Sequence, residues 1–511
     1  MTAKKDFHIV ASINIGANYL HMIIAEINSD KKFNILEDLT KPSNIGRDTY
    51  SSKRISIETI QQTCNDLKGF AMLMKDYRIK TYKAVSTSGI REAENREYIV
   101  EQIRLSSGIK VDIINTAEES LLNSKALRSH MPKSGFLTAD SSLVVNVTSG
   151  GMEISMFKKG SLDYTEYMKL GSLRLSEILS DLETMTMDFP KIMEEFIESK
   201  IHILKPRIQS FNAVSFIGIG GELDVIAKLC GRESHNTTFI ERDQLIKLYE
   251  KMKSMSSNQI IQTYGINRKE AKLILPSVIL FKCFISLTKA PGIYAPMLSL
   301  CHGLLSNMAE NLYDENSDND EIINYAWYIA DKYCIDKTHL AYIEKISLQI
   351  FDATMRLHKL DSKERLYLRV AAILHNVGKF VNFSEPDMQT YDIILNQKVM
   401  GFSKEKLVLI ANIARYHGQA IPSHKDENYL TLSEKEKITV SKLVAILKLA
   451  ESIDISHKQK ISHIEINLSQ DKLLFKIKST EDTLLEEWDF IHNALFFHEV
   501  MGIKPEFKRR G

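Results

Sequence analysis

Apolar, β-prone residues crowd the stretch from Phe7 to Ile13 and predict a strand. Asn14-Ile15-Gly16-Ala17-Asn18 then reads as a turn, Leu20 to Ile27 as a second strand, and Phe33 to Leu36 as a third beyond a polar hairpin turn. The pattern returns later in the chain. Ser142 to Val147 predicts a strand, Thr148-Ser149-Gly150-Gly151 a turn, Met152 to Phe157 a strand, Lys158-Lys159-Gly160 a turn and Leu162 to Tyr167 a strand. Two copies of one pattern suggest two related lobes. Apolar residues recur at helical spacing over Ile57 to Met74, Glu94 to Leu105 and Arg268 to Leu287, with Pro276 as an expected kink. Strands alternating with helices argue for an α/β class. The acidic run from Asp314 to Glu321 lacks apolar anchors and reads as a linker or an exposed helix start. Beyond it the pattern is helical to about residue 460. Ile461 to Ile477 alternates as a small hairpin would, Trp488 and the apolar stretch from Ala494 to Phe497 read as core, and the basic residues from Lys504 to Arg510 read as a solvated tail. The expected organisation is one lobe over 1–126, a second over 127–310 and a helical domain over 322–511.

Composition narrows the class. The chain has 511 residues, 44% of them hydrophobic and 26% charged, as in globular proteins with large cores. A formal net charge of +1 provides no global field toward nucleic acid or an anionic membrane, so any anion site must be local. The five cysteines form no C-x-x-C pair, which argues against a disulfide framework or a zinc site and for a reducing compartment. Polar residues interrupt the first apolar run, as neither a signal peptide nor a membrane span would allow. A cytoplasmic location is expected.

A small-residue turn between strands can aim several backbone N–H groups at one phosphate. The turns at 14–18 and 148–151 are candidates, and their neighbours in sequence give them weight. Ile13-Asn14-Ile15-Gly16-Ala17-Asn18 resembles the first phosphate loop, I-D-x-G-S-N-S, of the exopolyphosphatase / guanosine pentaphosphate phosphatase (Ppx/GppA) family. Thr87-Ser88-Gly89-Ile90-Arg91-Glu92-Ala93-Glu94-Asn95 resembles T-S-A-x-R-x-A-x-N. Ile114-Asn115-Thr116-Ala117-Glu118-Glu119-Ser120 resembles I-S-G-x-E-E-A. Val145 to Glu153 sits where the family has D-I-G-G-G-S-T-E. Leu170 to Leu175, Gly218-Ile219-Gly220-Gly221 and Ser299 to Leu304 resemble L-G-A-V-R-L, the G-T-G-G-T turn and the S-x-x-G-L stretch. These blocks keep the family's order.

The resemblance implies an actin-like two-lobed fold with a mostly α-helical, HD-like C-terminal domain. It also implies release of terminal phosphate from inorganic polyphosphate, or of the 5′ phosphate from guanosine pentaphosphate. Glu119 matches the family's water-activating glutamate and Arg91 the arginine that faces the phosphate chain. Gly16 and Asn18 match one phosphate cradle; Ser149, Gly150, Gly151 and Gly220 match the rest. Glu153, with Asn14 and Asn146, would hold Mg²⁺. A homodimer is implied, and neither DNA nor a membrane is an expected partner.

The departures share a direction. Asn14 and Asn146 replace aspartates, Thr148-Ser149 replace two glycines, and Glu222 replaces the last threonine of the glycine turn. Amide oxygens carry no charge, so Mg²⁺ affinity is expected to fall. β-Branched Thr148 tolerates positive φ poorly. The HD-like site is degenerate in the same way. His339 and His375 stand at its histidine positions, but Asn376 and Glu451 replace aspartates, and Ser384 to Gln389 lacks the usual histidines. No metal phosphohydrolase activity is expected there, and the histidines are expected to be satisfied core residues. The alternative to an enzyme is an impaired relative that binds polyphosphate or guanosine tetra- or pentaphosphate as a sensor.

Overall fold

A computed structural model of the chain describes residues 7–131, 139–183, 185–186, 188–234, 237–313, 320–333, 336–382, 385–397, 399–469 and 472–509. Cys334, Ser384, Arg510 and most of the acidic run read as a linker lie outside them. The chain divides into two compact units, Met1–Ser317 and Asp318–Gly511.

The first unit holds two sheets. One is built from β1 (Phe7–Ile15), β2 (Tyr19–Asn28), β3 (Phe33–Pro42), β4 (Thr81–Ser86) and β5 (Val111–Ile113), in the order β3-β2-β1-β4-β5. The other holds β6 (Ser142–Val147), β7 (Met152–Lys158), β8 (Ser161–Met168), β9 (Ser215–Gly220), β10 (Gly231–Ser234), β11 (Thr237–Glu241) and β12 (Gly292–Ala295). Its order is β10-β11-β12-β9-β6-β7-β8. In both sheets an antiparallel three-strand meander continues through two parallel pairings, β1 with β4 and β4 with β5, then β6 with β9 and β9 with β12. The repeat seen in sequence as three strands therefore extends over five. This duplication is the expected α/β, actin-like two-lobed fold.

Burial explains the strand patterns. β6 is buried at every position, as a strand covered on both faces must be. Helix Ile57–Asp76 lays Ile60, Leu67 and Phe70 on one face of the first sheet, and helix Leu300–Tyr313 lays Cys301, Leu305 and Met308 on the other. Helix Thr116–His130 covers the second sheet with Ala126 and Leu127. A Cβ on Gly303 would come within 2.1 Å of the Leu122 carbonyl oxygen, so only glycine allows these two helices to approach so closely.

Two helix boundaries refine the sequence reading. The expected helix from Glu94 starts at Arg96, and helix Arg268–Ile285 runs on through buried Pro276. Cys64, Cys230, Cys283 and Cys301 are free thiols.

The second unit is helical, with one small sheet of β13 (His463–Leu468), β14 (Lys472–Lys478) and β15 (Lys504–Arg509). Two expectations are corrected here. The basic C-terminal residues were expected as a solvated tail, yet Lys504–Arg509 pairs in parallel with β14, because Pro505 and Phe507 give that segment an apolar anchor. Trp488 was expected in the core but is 57% exposed, as Leu495 is exposed; helix Leu484–Met501 buries Phe490, Ala494 and Phe497 instead. Among the described residues no helix is long and apolar enough to cross a membrane.

Candidate functional site

A cleft of about 530 Å³ opens in the first unit where the duplicated turns meet. Gly16 and Asn18 come from the β1–β2 turn, Thr148 and Ser149 from the β6–β7 turn, Gly220 and Gly221 from the end of β9, and Glu119 from helix Thr116–His130. Segments far apart in sequence are brought together because equivalent turns of the two sheets occupy equivalent ends. Asn14 and Asn146 also line the cleft. Asn14 Oδ1 and Asn18 Nδ2 are buried without hydrogen-bond partners.

Each turn has its own reason for its residues. Gly16 N–H donates to the Tyr19 carbonyl at 3.0 Å, and a Cβ there would sit 2.7 Å from that same oxygen. The second turn corrects an expectation. Neither Thr148 nor its neighbours Ser149, Gly150 and Gly151 adopt positive φ, so the β-branched residue is not strained. Thr148 instead stabilises the turn. Its Oγ1 accepts from Gly151 N–H at 3.1 Å and donates to the Gly151 carbonyl at 2.9 Å. Left-handed backbone belongs to Gly220 and Gly221, at φ +67° and +58°.

Gly150, Gly151, Arg91 and Glu153 were expected along the cleft and do not line it. Gly150 is packed: a Cβ would meet Tyr50 Oη at 2.2 Å and Ser88 Oγ at 2.3 Å. Its carbonyl accepts from Arg174 Nε at 2.6 Å, while Arg174 Nη2 reaches Glu92 at 2.8 Å and its guanidinium stacks over Tyr50. Gly151 lies against Tyr167. Arg91 stands just behind Glu119, 3.2 Å from its carboxylate.

Helix Thr116–His130 opens with a capping box. Asn115 accepts from Glu118 N–H and Glu118 accepts from Asn115 N–H. Of the paired glutamates, Glu118 thus caps the helix, and Glu119 is left to face the cleft. Burial raises the Glu119 pKa, and Arg91 opposes the rise. Glu153 pairs with Asn146 across the sheet and so shares its face. Burial pushes its pKa up to about 7, with the Glu119 charge adding to the rise and hydrogen bonds from Ser120 and Thr165 restraining it.

The sequence reading missed much of the opposite wall. Glu222, Asp224 and Glu270 line the cleft, and His21 is its lone histidine, 2.7 Å from Asp38. The lining residues carry four carboxylates with Glu119 and no lysine or arginine. Glu222 is buried, accepts from Ser277 Oγ, and has its pKa pushed up to about 7 by burial. Its place in the glycine turn was visible in sequence; the contribution of Glu270, from a remote helix, carried no local signal. The donors at the cleft suit a hard cation, since Asn14, Asn146 and Glu119 offer oxygen ligands.

The degenerate HD-like residues gather in the second unit. His339, His375, Asn376 and Glu451 are all buried. His375 is satisfied by the Ala372 carbonyl and the Asn376 amide, but His339, also expected to be satisfied, is not. His339 Nε2, Asn376 Oδ1 and Glu451 Oε2 have no hydrogen-bond partner, and Glu451 Oε2 lies 3.0 Å from His375 Nε2 and 3.3 Å from His339 Nε2.

A model of the Ppx/GppA phosphatase family matches residues 23–312, and one of Ppx/GppA phosphatase domain III matches residues 326–497. A bifunctional 3-dehydroquinate synthase/phosphatase of Fusobacterium nucleatum subsp. nucleatum is 24% identical over 275 residues, 52% of this chain and 40% of that protein. A guanosine-5′-triphosphate,3′-diphosphate pyrophosphatase of Vibrio parahaemolyticus is 18% identical over 476 residues, 91% of each. The chain therefore spans well under half of the first relative and nearly all of the second. The solved structure of an exopolyphosphatase from Cytophaga hutchinsonii superposes with a TM-score of 0.53 at 18% identity, covering 60% of this chain and 98% of that one. At that identity the likeness is one of fold.

Proposed function

The chain belongs to the Ppx/GppA phosphatase family, and on that premise we propose that the cleft hydrolyses a terminal phosphoanhydride, releasing orthophosphate from inorganic polyphosphate or the 5′ phosphate of guanosine pentaphosphate. The reading rests on one observation: Gly16, Asn18, Ser149 and Glu119 converge on the same cleft, with Arg91 3.2 Å behind the glutamate.

The terminal phosphate rests between the two turns, held by backbone N–H groups and Asn18. Arg91 answers charge on the phosphate oxygens. Glu119 orients a water for in-line attack and takes its proton. The new P–O bond forms as the bridging P–O bond breaks, and the bridging oxygen leaves with the electron pair. A raised pKa makes Glu119 a better base than an exposed glutamate. A wall of carboxylates repels a bare polyanion, so the substrate enters as a metal salt. Glu119, Asn14 and Asn146, which line the cleft, would hold Mg²⁺, and the ion when bound would neutralise phosphate charge.

The test is phosphate release from long-chain polyphosphate and from guanosine pentaphosphate with Mg²⁺ present. Release that disappears in Glu119→Ala supports hydrolysis at this site. No release above that background from either substrate overturns it. A second reading, binding without turnover, is favoured by Asn14 and Asn146, whose uncharged amides line the cleft where carboxylates would hold a cation more tightly. Measurable polyphosphate binding with no release would select it.

A further inference from the structure

Three histidines of the second unit are oriented alike. His339, at the start of helix Lys337–Ala353, has Nδ1 2.8 Å from Asp454 Oδ2. His375 has Nδ1 2.7 Å from the Ala372 carbonyl, and His417 has Nδ1 2.8 Å from the Ala414 carbonyl. An oxygen acceptor at Nδ1 keeps the proton there and leaves the lone pair on Nε2. Metal-bound histidines are held by this same outer contact.

The Nε2 atoms turn toward one carboxylate. Glu451 Oε2 lies 3.0 Å from His375 Nε2 and 3.3 Å from His339 Nε2. Neither approach has the geometry of a hydrogen bond, and both Glu451 Oε2 and His339 Nε2 stay buried without a partner. A carboxylate and an imidazole Nε2 face each other at that distance only with positive charge between them, either a proton on Nε2 or a metal ion. Ligands about 2.1 Å from one tetrahedral ion stand roughly 3.4 Å apart. The ligand atoms of His375, His417 and Glu451 all lie within 4.8 Å of one another, and all three residues are buried. His339, Glu451 and the exposed His457 form a second group around the same glutamate. Asn376 Nδ2 is 2.8 Å from His375 Nε2; half a turn of that amide would present its unpartnered Oδ1 instead.

We propose that His375, His417 and Glu451 bind one late first-row divalent cation of the Zn²⁺ class, with His339 completing or positioning the set. Imidazole nitrogens with a single carboxylate favour such an ion over Mg²⁺, which takes oxygen ligands. The replacements at Asn376 and Glu451 thus change which metal the site accepts. The ion would tie the ends of helices Ser362–Leu374 and Lys404–Arg415 to helix Glu434–Ser452.

The test uses the full-length chain, stripped with a chelator and dialysed, then titrated with Zn²⁺ and monitored by calorimetry, metal analysis and thermal melting. About one equivalent should bind and raise Tm by several degrees. Glu451→Gln and His417→Gln, each shown to be folded by circular dichroism, should lose that equivalent and the Tm shift. Co²⁺ in the wild-type site should give the intense visible bands of a four- or five-coordinate ion, absent in both variants. A folded wild-type chain that retains no Zn²⁺ and shows no Tm shift overturns the proposal. So does Zn²⁺ binding by folded Glu451→Gln and His417→Gln indistinguishable from wild type. If both variants fail to fold, the wild-type titration and Co²⁺ spectrum decide by themselves.

Discussion

Arg91 Nη1 lies 3.2 Å from Glu119 Oε2 and 2.7 Å from the Ile114 carbonyl oxygen, so one guanidinium nitrogen ties the candidate base to the chain just before its own helix. Burial raises the Glu119 pKa and the guanidinium restrains it. A phosphate that draws Arg91 forward releases the restraint when a base is needed. Glu119→Gln keeps the shape and removes the basicity. Its phosphate release should fall about 10²- to 10⁴-fold, with Tm close to wild type. In the wild type, activity should decline as pH falls through the raised Glu119 pKa, since the protonated carboxyl cannot accept the proton of water. A rate unchanged by Glu119→Gln would remove the residue from the mechanism.

Arg174 holds the second turn from behind. It binds the Gly150 carbonyl and Glu92 through different nitrogens and stacks over Tyr50. Lysine keeps the charge but cannot span both acceptors. Arg174→Lys should cost about 1–3 kcal/mol in urea denaturation. It should also lower kcat more than it raises KM, if the turn it steadies holds the reacting phosphate as proposed.

Glu222 carries a pH signature. Its folded pKa is about 7, against an ordinary 4.5, so between those values the folded chain holds a proton that the unfolded chain has lost. Stability then falls as pH rises from about 4.5 to 7, by up to about 3 kcal/mol. Glu222→Gln cannot ionise and should flatten that slope, leaving the variant more stable than wild type above pH 7. Urea midpoints compared at pH 5 and pH 8 measure the difference. An unchanged slope in the variant would assign it to other groups.

Thr148 uses its hydroxyl to occupy the Gly151 N–H. Thr148→Ala removes both of its hydrogen bonds to Gly151 and loosens the turn. If the turn cradles phosphate, calorimetry should show polyphosphate binding several-fold weaker in the variant. Unchanged binding would mean that the hydroxyl does not shape the cradle.

Much of the first unit was legible in advance, for a local reason. Apolar alternation and Gly-containing turns are properties of neighbouring residues, so the strands beginning at Phe7, Ser142 and Met152 could be read without the fold. The turns at Gly16 and Ser149 were read in the same way, the glutamate at position 119 came from the family resemblance, and all three meet at one cleft. The status of Thr148 was misjudged, since φ at a turn follows from how the turn packs, and no single residue reports it. Trp488 was misplaced because an aromatic side chain implies burial only where another element covers it.

The hairpin strands, the duplicated turns and the family resemblance were legible in the chain's own pattern, because hairpins and tight turns depend on residues close in sequence. Only the folded molecule decided that Glu118 caps a helix while Glu119 faces the cleft, that Glu222, Asp224 and Glu270 make the opposite wall acidic, and that His339, His375, His417 and Glu451 share one buried centre. Charge and desolvation act through space. Their effects therefore depend on which distant segments the packing brings within a few ångströms.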